Sequence, residues 1–527
     1  MKLERAVVVT LEEIFGLEHL RESDCVPAFP SGSSPAATTD ATAFTASGDA
    51  TPMRAFVQAY FWPGLTFALF ALALVSHWPV RRGFFQVDDF LWLHLDHWKS
   101  VAQSFVGSQG AHDVYRPMFR LSVYLDAVLF NGSARWSHLE NVALHAANAL
   151  MLARLMRAHR LSNLVCASTA ILFLFAPLSG ESVDWISGRT TLLSFLFILL
   201  SAWRWTEALT FGRTPWGAAG FMILAGMTYE AAVVLPAVVL GLLPLAHRRL
   251  GIDWRTGLRQ LGLLSVLLLV FWGLRAIMLG VLIGYTDAAS PDILSNVRNQ
   301  LGVLGAYYLS FGSVISLWAL AIAFIVTSFH PRLFPTGPCL VFIAAVLLLP
   351  YIGVPGVGQR FHYMMQAPLC AMVCIAACSL PKNLRGATLM LLMALLLPQF
   401  VATTWKDAVA YTEAGMATKR MMDAIRQAIP VNNERPNVID GIPDNYDERM
   451  MMGGFFEMGI ADTYATPPVP PFVARSEIVL GNAQILKDVL KAESLYWRYD
   501  QATNQVIPID RQTWLQVHSE ALSRAPE

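Results

Sequence analysis

Long apolar segments alternate with short polar stretches through most of the chain, and this pattern dominates its central part. Several of these segments approach or exceed the roughly 20 residues that a helix needs to cross a bilayer. The pattern predicts an all-α polytopic membrane protein with about eleven transmembrane helices. The predicted spans are 56–79, 139–158, 162–180, 186–204, 215–229, 231–246, 259–282, 300–328, 338–354, 363–380 and 385–404.

Composition agrees with this prediction. Of the 527 residues, 55% are hydrophobic and only 14% are charged, whereas a soluble domain carries about 25% charged residues. The formal net charge is zero, so no charge excess favours nucleic acid as a partner. Cys370, Cys374 and Cys378 recur every four residues in one apolar run, which places them on one helix face as small packing residues.

Basic residues predict the orientation of the chain, because cytoplasmic loops carry an excess of Lys and Arg. With the N-terminus in the cytoplasm, the basic loops all fall on the cytoplasmic side; they contain Arg154, Arg157, Arg160, His247, Arg248, Arg249, Arg255, Arg259, Arg332, Lys382 and Arg385. The segment after Trp405 then lies outside the cytoplasm. We expect a bacterial inner-membrane protein whose C-terminal domain is periplasmic.

Two flanking regions differ in composition from the spans. Residues 1–53 are rich in Ser, Thr, Ala, Pro and Gly, which predicts a disordered cytoplasmic tail. Residues 54–404 form the predicted transmembrane domain, with an extracytoplasmic loop at 81–137. Residues 405–527 predict a small α/β extracytoplasmic domain. That domain contains an amphipathic helix at 405–430, strand-like runs at 476–480 and 505–509, and a turn at 501–504.

The acidic pair Asp88-Asp89 follows the first span and lies on the predicted extracytoplasmic side. A carboxylate at a membrane boundary can act as a general base, since burial raises its pKa toward neutrality. Successive residues point in different directions, so only one of the two needs to face a substrate. Both are therefore candidate catalytic residues.

The second predicted span carries polar residues at helical spacing. His138, Asn141, His145 and Asn148 are separated by three, four and three residues, which places all four on one helix face. Such a stripe is typical of interhelical hydrogen bonding. The alternative is contact with a substrate, for which His138, nearest the outer surface, is the best placed.

Further ionisable residues lie near the predicted outer boundary, where they are candidates for function. Glu181 and Arg189 are close enough in sequence to neutralise each other; alternatively, Glu181 is a second catalytic carboxylate and Arg189 binds an anion. Arg116 and Arg360 present planar donor groups suited to phosphate, or are interfacial anchors. Near Arg360 stand His362 and Tyr363.

The ordered set of motifs resembles the GT-C superfamily of integral-membrane glycosyltransferases. It is most similar to the branch of the transmembrane O-mannosyltransferases with tetratricopeptide repeats and their bacterial relatives. The resemblance covers roughly residues 56–405, and no such repeats occur in this chain. The motifs are Val87-Asp88-Asp89, Tyr115-Arg116-Pro117, His138 to Asn141 with His145, Pro177 to Arg189, Glu230, and Arg360 to Tyr363. The chain departs from the family pattern at Ala176, Tyr229 and Phe361.

The resemblance implies that a sugar moves from a polyprenyl-phosphate donor to an acceptor hydroxyl of a glycan, lipid or protein on the extracytoplasmic face. Asp88 or Asp89 would be the base, with Asp88 favoured by family position, and Glu181 would position the acceptor or help to hold a divalent cation. The other implied roles are donor-phosphate binding by Arg360, Arg189 and Arg116, and substrate binding by His138, Asn141, Glu230, His362 and Tyr363.

Three other functions remain open from the sequence. A flippase or transporter of lipid-linked glycans would favour an internal repeat across the spans, and none is visible. A polymerase or ligase of lipid-linked glycans would favour a large outer loop between late spans, whereas the long loop here lies at 81–137. A non-catalytic relative that binds a partner is the third alternative.

Overall fold

The computed structural model describes residues 52–93, 98–107, 114–280, 293–310, 314–352, 358–429, 435–443, 445–446, 449–450, 473–481 and 483–523. The predicted tail at 1–53 lies outside these ranges, apart from its last two residues. Those two residues belong to the first helix, which begins at Pro52.

Helices make up the region of the predicted spans. In chain order they are α1 (Pro52–Ser76), α2 (Asp89–Leu93), α3 (Trp98–Ser104), α4 (Pro117–Phe130), α5 (Ala134–Ala158), α6 (Asn163–Leu174), α7 (Gly180–Asp184), α8 (Arg189–Thr210), α9 (Trp216–Gly226), α10 (Leu235–Leu250), α11 (Trp254–Leu279), α12 (Ile293–Ser310), α13 (Val314–Phe329), α14 (Thr336–Leu348), α15 (Gln366–Ala376) and α16 (Lys382–Ala428). Short 3-10 turns join several of them.

Five described segments are long and apolar enough to cross a membrane, by length and composition: Ala59–Ser76, Ile186–Thr210, Glu230–Leu250, Trp254–Leu279 and Lys382–Ala428. Only 17% of the most apolar stretch of α11 is buried inside the protein. An exposed apolar helix face of this kind is more stable in contact with lipid than with water. The apolar helices therefore support an integral membrane protein.

Two predicted spans differ from the helices observed. The predicted span 300–328 covers parts of two described helices, α12 and α13, and residues 311–313 between them lie outside the described ranges. The predicted span 162–180 is helical only through α6, and Pro177 follows at a turn before α7 begins. Proline cannot donate the backbone hydrogen bond of a helix interior and clashes with the preceding turn. The total of eleven transmembrane helices stays a prediction.

Helix α5 lies at the centre of the bundle and packs against α1, α6 and α8. All four members of its polar stripe are buried, with at most 1% of each residue exposed. His145 Nδ1 lies 2.8 Å from the Tyr363 hydroxyl, and the Asn148 amide donates to the same hydroxyl and to the Leu192 carbonyl. His145 and Asn148 therefore make hydrogen bonds to neighbouring helices, as one of the two interpretations of this stripe expects.

The two ends of the bundle carry opposite polar groups. At one end, the Arg248 guanidinium donates to the Pro331 carbonyl, and Arg154 lies 4.0 Å from the Trp62 ring centroid, so predicted cytoplasmic loops meet there. We call this the basic end. The acidic pair and Glu181 lie at the opposite end, which we call the acidic end.

Helix α16 is the longest element, with 47 residues. At 1.5 Å per residue it extends about 70 Å, more than twice the roughly 30 Å of the bilayer hydrocarbon. The predicted eleventh span and the predicted amphipathic helix at 405–430 are therefore one continuous helix. The boundary placed at residue 405 falls inside this helix.

Beyond α16 the chain forms a small α/β unit. Its sheet has the strand order β4-β1-β5-β6, in which β4, β1 and β5 are parallel and β6 is antiparallel. The strands are β1 (Asn437–Asp440), β4 (Val473–Arg475), β5 (Leu495–Asp500) and β6 (Gln505–Ile509), with a separate pair β2 (Asn445–Tyr446) and β3 (Arg449–Met450). Four short helices accompany the sheet: α17 (Ser476–Gly481), α18 (Ala483–Lys491), α19 (Arg511–Val517) and α20 (Ser519–Ser523).

One of the two predicted strands in this unit is correct. The run 505–509 is β6, and residues 501–504 form the turn that joins it to β5. The run 476–480 was expected to be a strand but lies in helix α17. Periodicity alone cannot separate strand from helix in so short an apolar run, and Val479 enters the core between sheet and helices.

We predict that Tyr363→Phe destabilises the protein by about 1–3 kcal/mol, because His145 and Asn148 would each lose a buried hydrogen-bond partner. Thermal unfolding in detergent measures the change. Tyr60→Phe is the control, since the Tyr60 side chain is exposed. Equal unfolding midpoints for the two variants would contradict the role of this network.

Candidate active site at the acidic end of the bundle

The acidic pair lies in a tight turn, Gln86–Asp89, which we call the acid turn. The Asp89 amide donates to the Gln86 carbonyl at 2.9 Å, which closes the turn. Val87 has a φ of +45°. Positive φ at the second residue is required in type I′ and II′ turns, and it is strained for a β-branched side chain.

Contacts at both ends of the acid turn hold this conformation. The Gln86 side-chain amide donates from Nε2 to the Tyr411 carbonyl at 2.7 Å, and the Trp185 indole donates to the Gln86 backbone carbonyl at 3.2 Å. Val87 packs between Trp185 and Tyr411. Backbone strain persists only where surrounding structure over-determines it, and these contacts from two distant segments do so here.

Asp89 anchors the other end of the turn. Its carboxylate accepts hydrogen bonds from the Gln86 backbone amide at 2.9 Å, and from the Ser187 backbone amide and hydroxyl at 2.8 and 2.6 Å. Only 2% of Asp89 is exposed. Burial raises the pKa of Asp89 to about 7, although the bonds from Ser187 and Gln86 partly oppose this shift. Asp88, at the tip of the turn, is partly exposed.

A glutamate–arginine pair stands beside the acid turn. The Arg360 guanidinium lies 3.5 Å from a Glu181 carboxylate oxygen, and the Arg360 amide donates to Glu181 at 3.1 Å. Arg360 also lies 4.7 Å from the centroid of the Trp185 ring. Because Trp185 is hydrogen-bonded to Gln86, a single side chain connects the Arg360 cation to the acid turn.

A second cluster of charges gathers around Glu230. Arg116 donates to Glu230 from Nε and Nη2, at 3.2 and 3.1 Å, and Arg275 lies 3.7 Å from the other carboxylate oxygen. Arg275 was not among the predicted site residues. Its position in an otherwise apolar span was the available signal, since an ionisable residue at membrane depth is a functional candidate.

Aromatic rings join the two charge clusters. Arg116 lies 4.8 Å from the Tyr229 ring centroid, and Tyr229 lies 6.0 Å from Tyr351. Tyr351 in turn stacks on Phe361 at 4.8 Å, beside Arg360. The three arginines and two glutamates therefore form one continuous region at the acidic end.

Arg189 occupies a different environment from the one expected for a phosphate ligand. Its side chain is fully buried and lies 2.9 Å from Asp126 and 3.2 Å from Glu140. It also donates to the Asn141 side chain and to the Ser137 carbonyl. Of the two alternatives for Glu181 and Arg189, mutual pairing is not what the structure has, because Glu181 pairs with Arg360. These contacts favour a structural role for Arg189.

Other predicted substrate-binding residues are also enclosed. His138 and His362 are at most 1% exposed. The His138 ring lies against Gly83, where an added Cβ would come within 2.8 Å of Nε2. Asn141 donates to the Trp185 carbonyl at 2.8 Å, and Tyr363 belongs to the α5 network described above. In this structure these side chains support the elements around the acid turn.

A small recess lies between the acid turn and α4. Asp89, Trp92, Tyr124 and Asp126 are among the residues that line it. Neither Trp92 nor Tyr124 was among the predicted site residues. They lie within the predicted loop at 81–137, so described parts of this loop form one wall of the recess beside the acid turn.

Helix α16 and the C-terminal unit cover the acid turn from the other side. Gly415 lies so close that an added Cβ would come within 2.7 Å of the Phe84 amide. A single apolar cluster contains Phe85 of this segment, Met421 of α16 and Ile439 of β1. The predicted C-terminal domain therefore shares a core with the segment that carries the candidate base.

The described residues contain no group of three or more His, Cys, Asp or Glu side chains that could hold a metal ion. Glu181, the residue expected to help hold a divalent cation, is engaged by Arg360. The geometry gives this carboxylate a cationic side chain as its partner.

No protein-family model matches the chain. Part of it is similar to Protein O-mannosyl-transferase tmtc2 of Xenopus laevis, with 35% identity over 114 residues, which is 21% of this chain and 13% of that protein. Protein O-mannosyl-transferase TMTC2 of Mus musculus is 28% identical over 233 residues, or 40% of this chain and 26% of that protein. The chain thus spans about a quarter or less of these relatives.

Among solved structures, the chain is similar to ArnT from Cupriavidus metallidurans in the apo state, with 13% identity and a TM-score of 0.47 over 87% of this chain and 95% of that one. The same protein bound to undecaprenyl phosphate gives 13% identity and a TM-score of 0.44, over 86% and 95% of the two chains. The curated sequence relatives agree with the resemblance drawn from the motifs: this chain is similar to the GT-C membrane glycosyltransferases.

Proposed function

We propose that this protein is a membrane glycosyltransferase that moves a sugar from a polyprenyl-phosphate donor to an acceptor hydroxyl, with the reaction on the extracytoplasmic face. The observation that carries the proposal is the acid turn. It presents a partly exposed carboxylate, Asp88, in the turn whose Val87 packs on Trp185, and the Arg360 cation rests on the same ring. A base and a phosphate-binding group are thus held on one platform.

Asp88 is the general base in this proposal. Displacement at the anomeric carbon requires the acceptor hydroxyl to lose its proton as it attacks, and a carboxylate within reach can accept it. Asp88 occupies the tip of the turn, whereas Asp89 is committed to Ser187 and Gln86. Asp89 is then a positioning residue that holds the turn in shape.

Arg360, Arg116 and Arg275 bind the donor phosphate. The leaving polyprenyl phosphate gains negative charge as the glycosidic bond breaks, so preorganised cations lower the barrier. Arg360 is the best placed to meet a ligand, because 28% of its side chain is exposed, against 9% for Arg116 and none for Arg275. Glu181 and Glu230 keep these guanidinium groups oriented.

The cavity lined by Trp92 and Tyr124 is the proposed acceptor site. Aromatic side chains offer flat apolar surfaces with polar edges, which suit a ligand that is apolar on one face and carries hydroxyls. The cavity also reaches Asp89, the neighbour of the proposed base Asp88 in the acid turn.

We predict that Asp88→Asn lowers kcat for sugar transfer by about 10²–10⁴-fold, because a neutral amide cannot accept the proton. Transfer is measured in membranes with a polyprenyl-phosphate sugar, and the unfolding midpoint should be unchanged. Asp423→Asn, an exposed carboxylate on α16, is the matched control. Wild-type kcat in Asp88→Asn would reject this base assignment.

We predict that Ser187→Ala shifts the pH dependence of transfer toward higher pH. Burial raises the pKa of Asp89 to about 7, and only the ionised form accepts all three hydrogen bonds, so activity should rise as the pH passes this value. The Ser187 hydroxyl lowers the pKa of Asp89, so its removal raises that pKa further. The control is Ser201→Ala, which removes a buried hydroxyl bonded to the Ala218 carbonyl and should leave the pH dependence unchanged. If the pH dependence of Ser187→Ala is the same as that of the wild type, the positioning role of Asp89 is contradicted.

We predict that Arg360→Gln weakens binding of polyprenyl phosphate about tenfold or more, since a charge-assisted hydrogen bond is lost. Arg360→Lys should retain part of the affinity. Binding is followed by titration of the detergent-solubilised protein, with Arg332→Gln, an exposed position at the basic end, as control. If Arg332→Gln weakens binding as much, the effect is one of general charge.

A further inference from the structure

A histidine–aspartate pair is buried where α1 and α7 end. His77 follows the last residue of α1, and Asp184 is the last residue of α7. His77 Nδ1 lies 2.5 Å from Asp184 Oδ1, and neither side chain is exposed. Because a carboxylate only accepts hydrogen bonds, Nδ1 of the imidazole carries the proton and donates it. Ionisable groups buried in a membrane protein are costly and are candidates for function.

The pair is one of three side-chain contacts between the segment 184–187 and the chain that leads to and forms the acid turn. The contacts are Asp184 with His77, Trp185 with Gln86, and Ser187 with Asp89. The first contact holds the start of this chain, where it leaves α1, and the other two hold the acid turn itself. One short segment therefore fixes the chain at both ends.

Helix α7 also carries the carboxylate that contacts Arg360. Glu181 accepts a hydrogen bond from the Arg360 amide at 3.1 Å, and its carboxylate lies 3.5 Å from the Arg360 guanidinium. Glu181 and Asp184 are three residues apart in α7, which is about one helical turn. The orientation of α7 therefore affects Arg360 and the chain held through His77 at the same time.

We infer that His77 and Asp184 are positioning residues of the proposed active site, whose hydrogen bond sets the place of the acid turn relative to Arg360. The inference rests on the proposed function, because it takes Asp88 and Arg360 to act in one reaction. Both residues are fully enclosed, so they act through the acid turn and α7 and touch no substrate. The strained turn requires such outside contacts to keep its shape.

The inference is tested with His77→Ala in the full chain, by measuring sugar transfer and binding of polyprenyl phosphate on one detergent-solubilised preparation. We expect kcat per folded molecule to fall about 10–100-fold, because small displacements of reacting groups have effects of this size. The affinity for polyprenyl phosphate should be unchanged, since Arg360 keeps its contacts with Glu181. His77→Asn, whose amide nitrogen can still donate to Asp184, should retain more of the wild-type kcat.

A double variant covers the case in which His77→Ala does not fold. Replacing both partners of a buried pair with apolar residues is often neutral for stability, so His77→Leu combined with Asp184→Leu should fold and still show the lower kcat. The matched control is His159→Ala. It removes a buried histidine that contacts the Thr206 hydroxyl at 3.3 Å near the basic end, and it should keep the wild-type kcat per folded molecule.

Two results would overturn the inference. One is a wild-type kcat per folded molecule in whichever of His77→Ala and the double variant folds, since the pair would then contribute to stability alone. The other is a loss of polyprenyl-phosphate affinity as large as the loss of kcat, since the pair would then support donor binding and not the relative position of the two groups.

Hydrogen exchange separates failure of this inference from failure of the proposed function. The Asp89 amide is bonded to the Gln86 carbonyl, so its exchange rate reports on the acid turn. We expect faster exchange there in His77→Ala and no change in His159→Ala. If the wild type transfers no sugar, the proposed function fails, and the exchange rate still decides whether the pair holds the acid turn. Equal exchange in His77→Ala and wild type overturns the inference.

Discussion

The strained acid turn is the constraint on which the acidic end of this protein depends. Val87 adopts a positive φ that a β-branched residue avoids, and its conformation is held from outside the turn. Trp185 and Tyr411 hold Gln86, and Ser187 holds Asp89. Segments about 100 and 325 residues away in sequence therefore position Asp88. The side chain at the tip of the turn is left partly exposed, while its neighbour is buried.

The arginines of the acidic end have two different environments. Arg189 of α8 pairs with Asp126 of α4 and with Glu140 and Asn141 of α5, and these contacts join the three helices. Removing one partner of a buried ion pair leaves an uncompensated charge and is strongly destabilising, so this cluster holds the helices in register. Arg116, Arg275 and Arg360 lie instead around two glutamates and a row of aromatic rings.

The long helix α16 connects the membrane region to the C-terminal unit. Because it continues beyond the length of a bilayer, it brings Tyr411, Gly415 and Met421 onto the segment that carries the acidic pair. The C-terminal unit is consequently part of the wall behind the acid turn.

The amino-acid sequence by itself determined the helical membrane class, the position of the acidic pair and the polar stripe of α5, because hydrophobic length and helical periodicity are local properties. It did not determine partners. Whether Glu181 pairs with Arg189 or Arg360, and which aspartate is buried, depends on segments that meet only in the folded chain. Trp92 and Tyr124 carry no local motif, so they entered the candidate site through tertiary structure alone. Arg275 stands out in its apolar span, but its partner Glu230 is visible only in the folded chain. The helical conformation of the short run 476–480 also depends on tertiary structure. Its apolar residues fit a strand or a helix, and packing against the neighbouring sheet favours the helix.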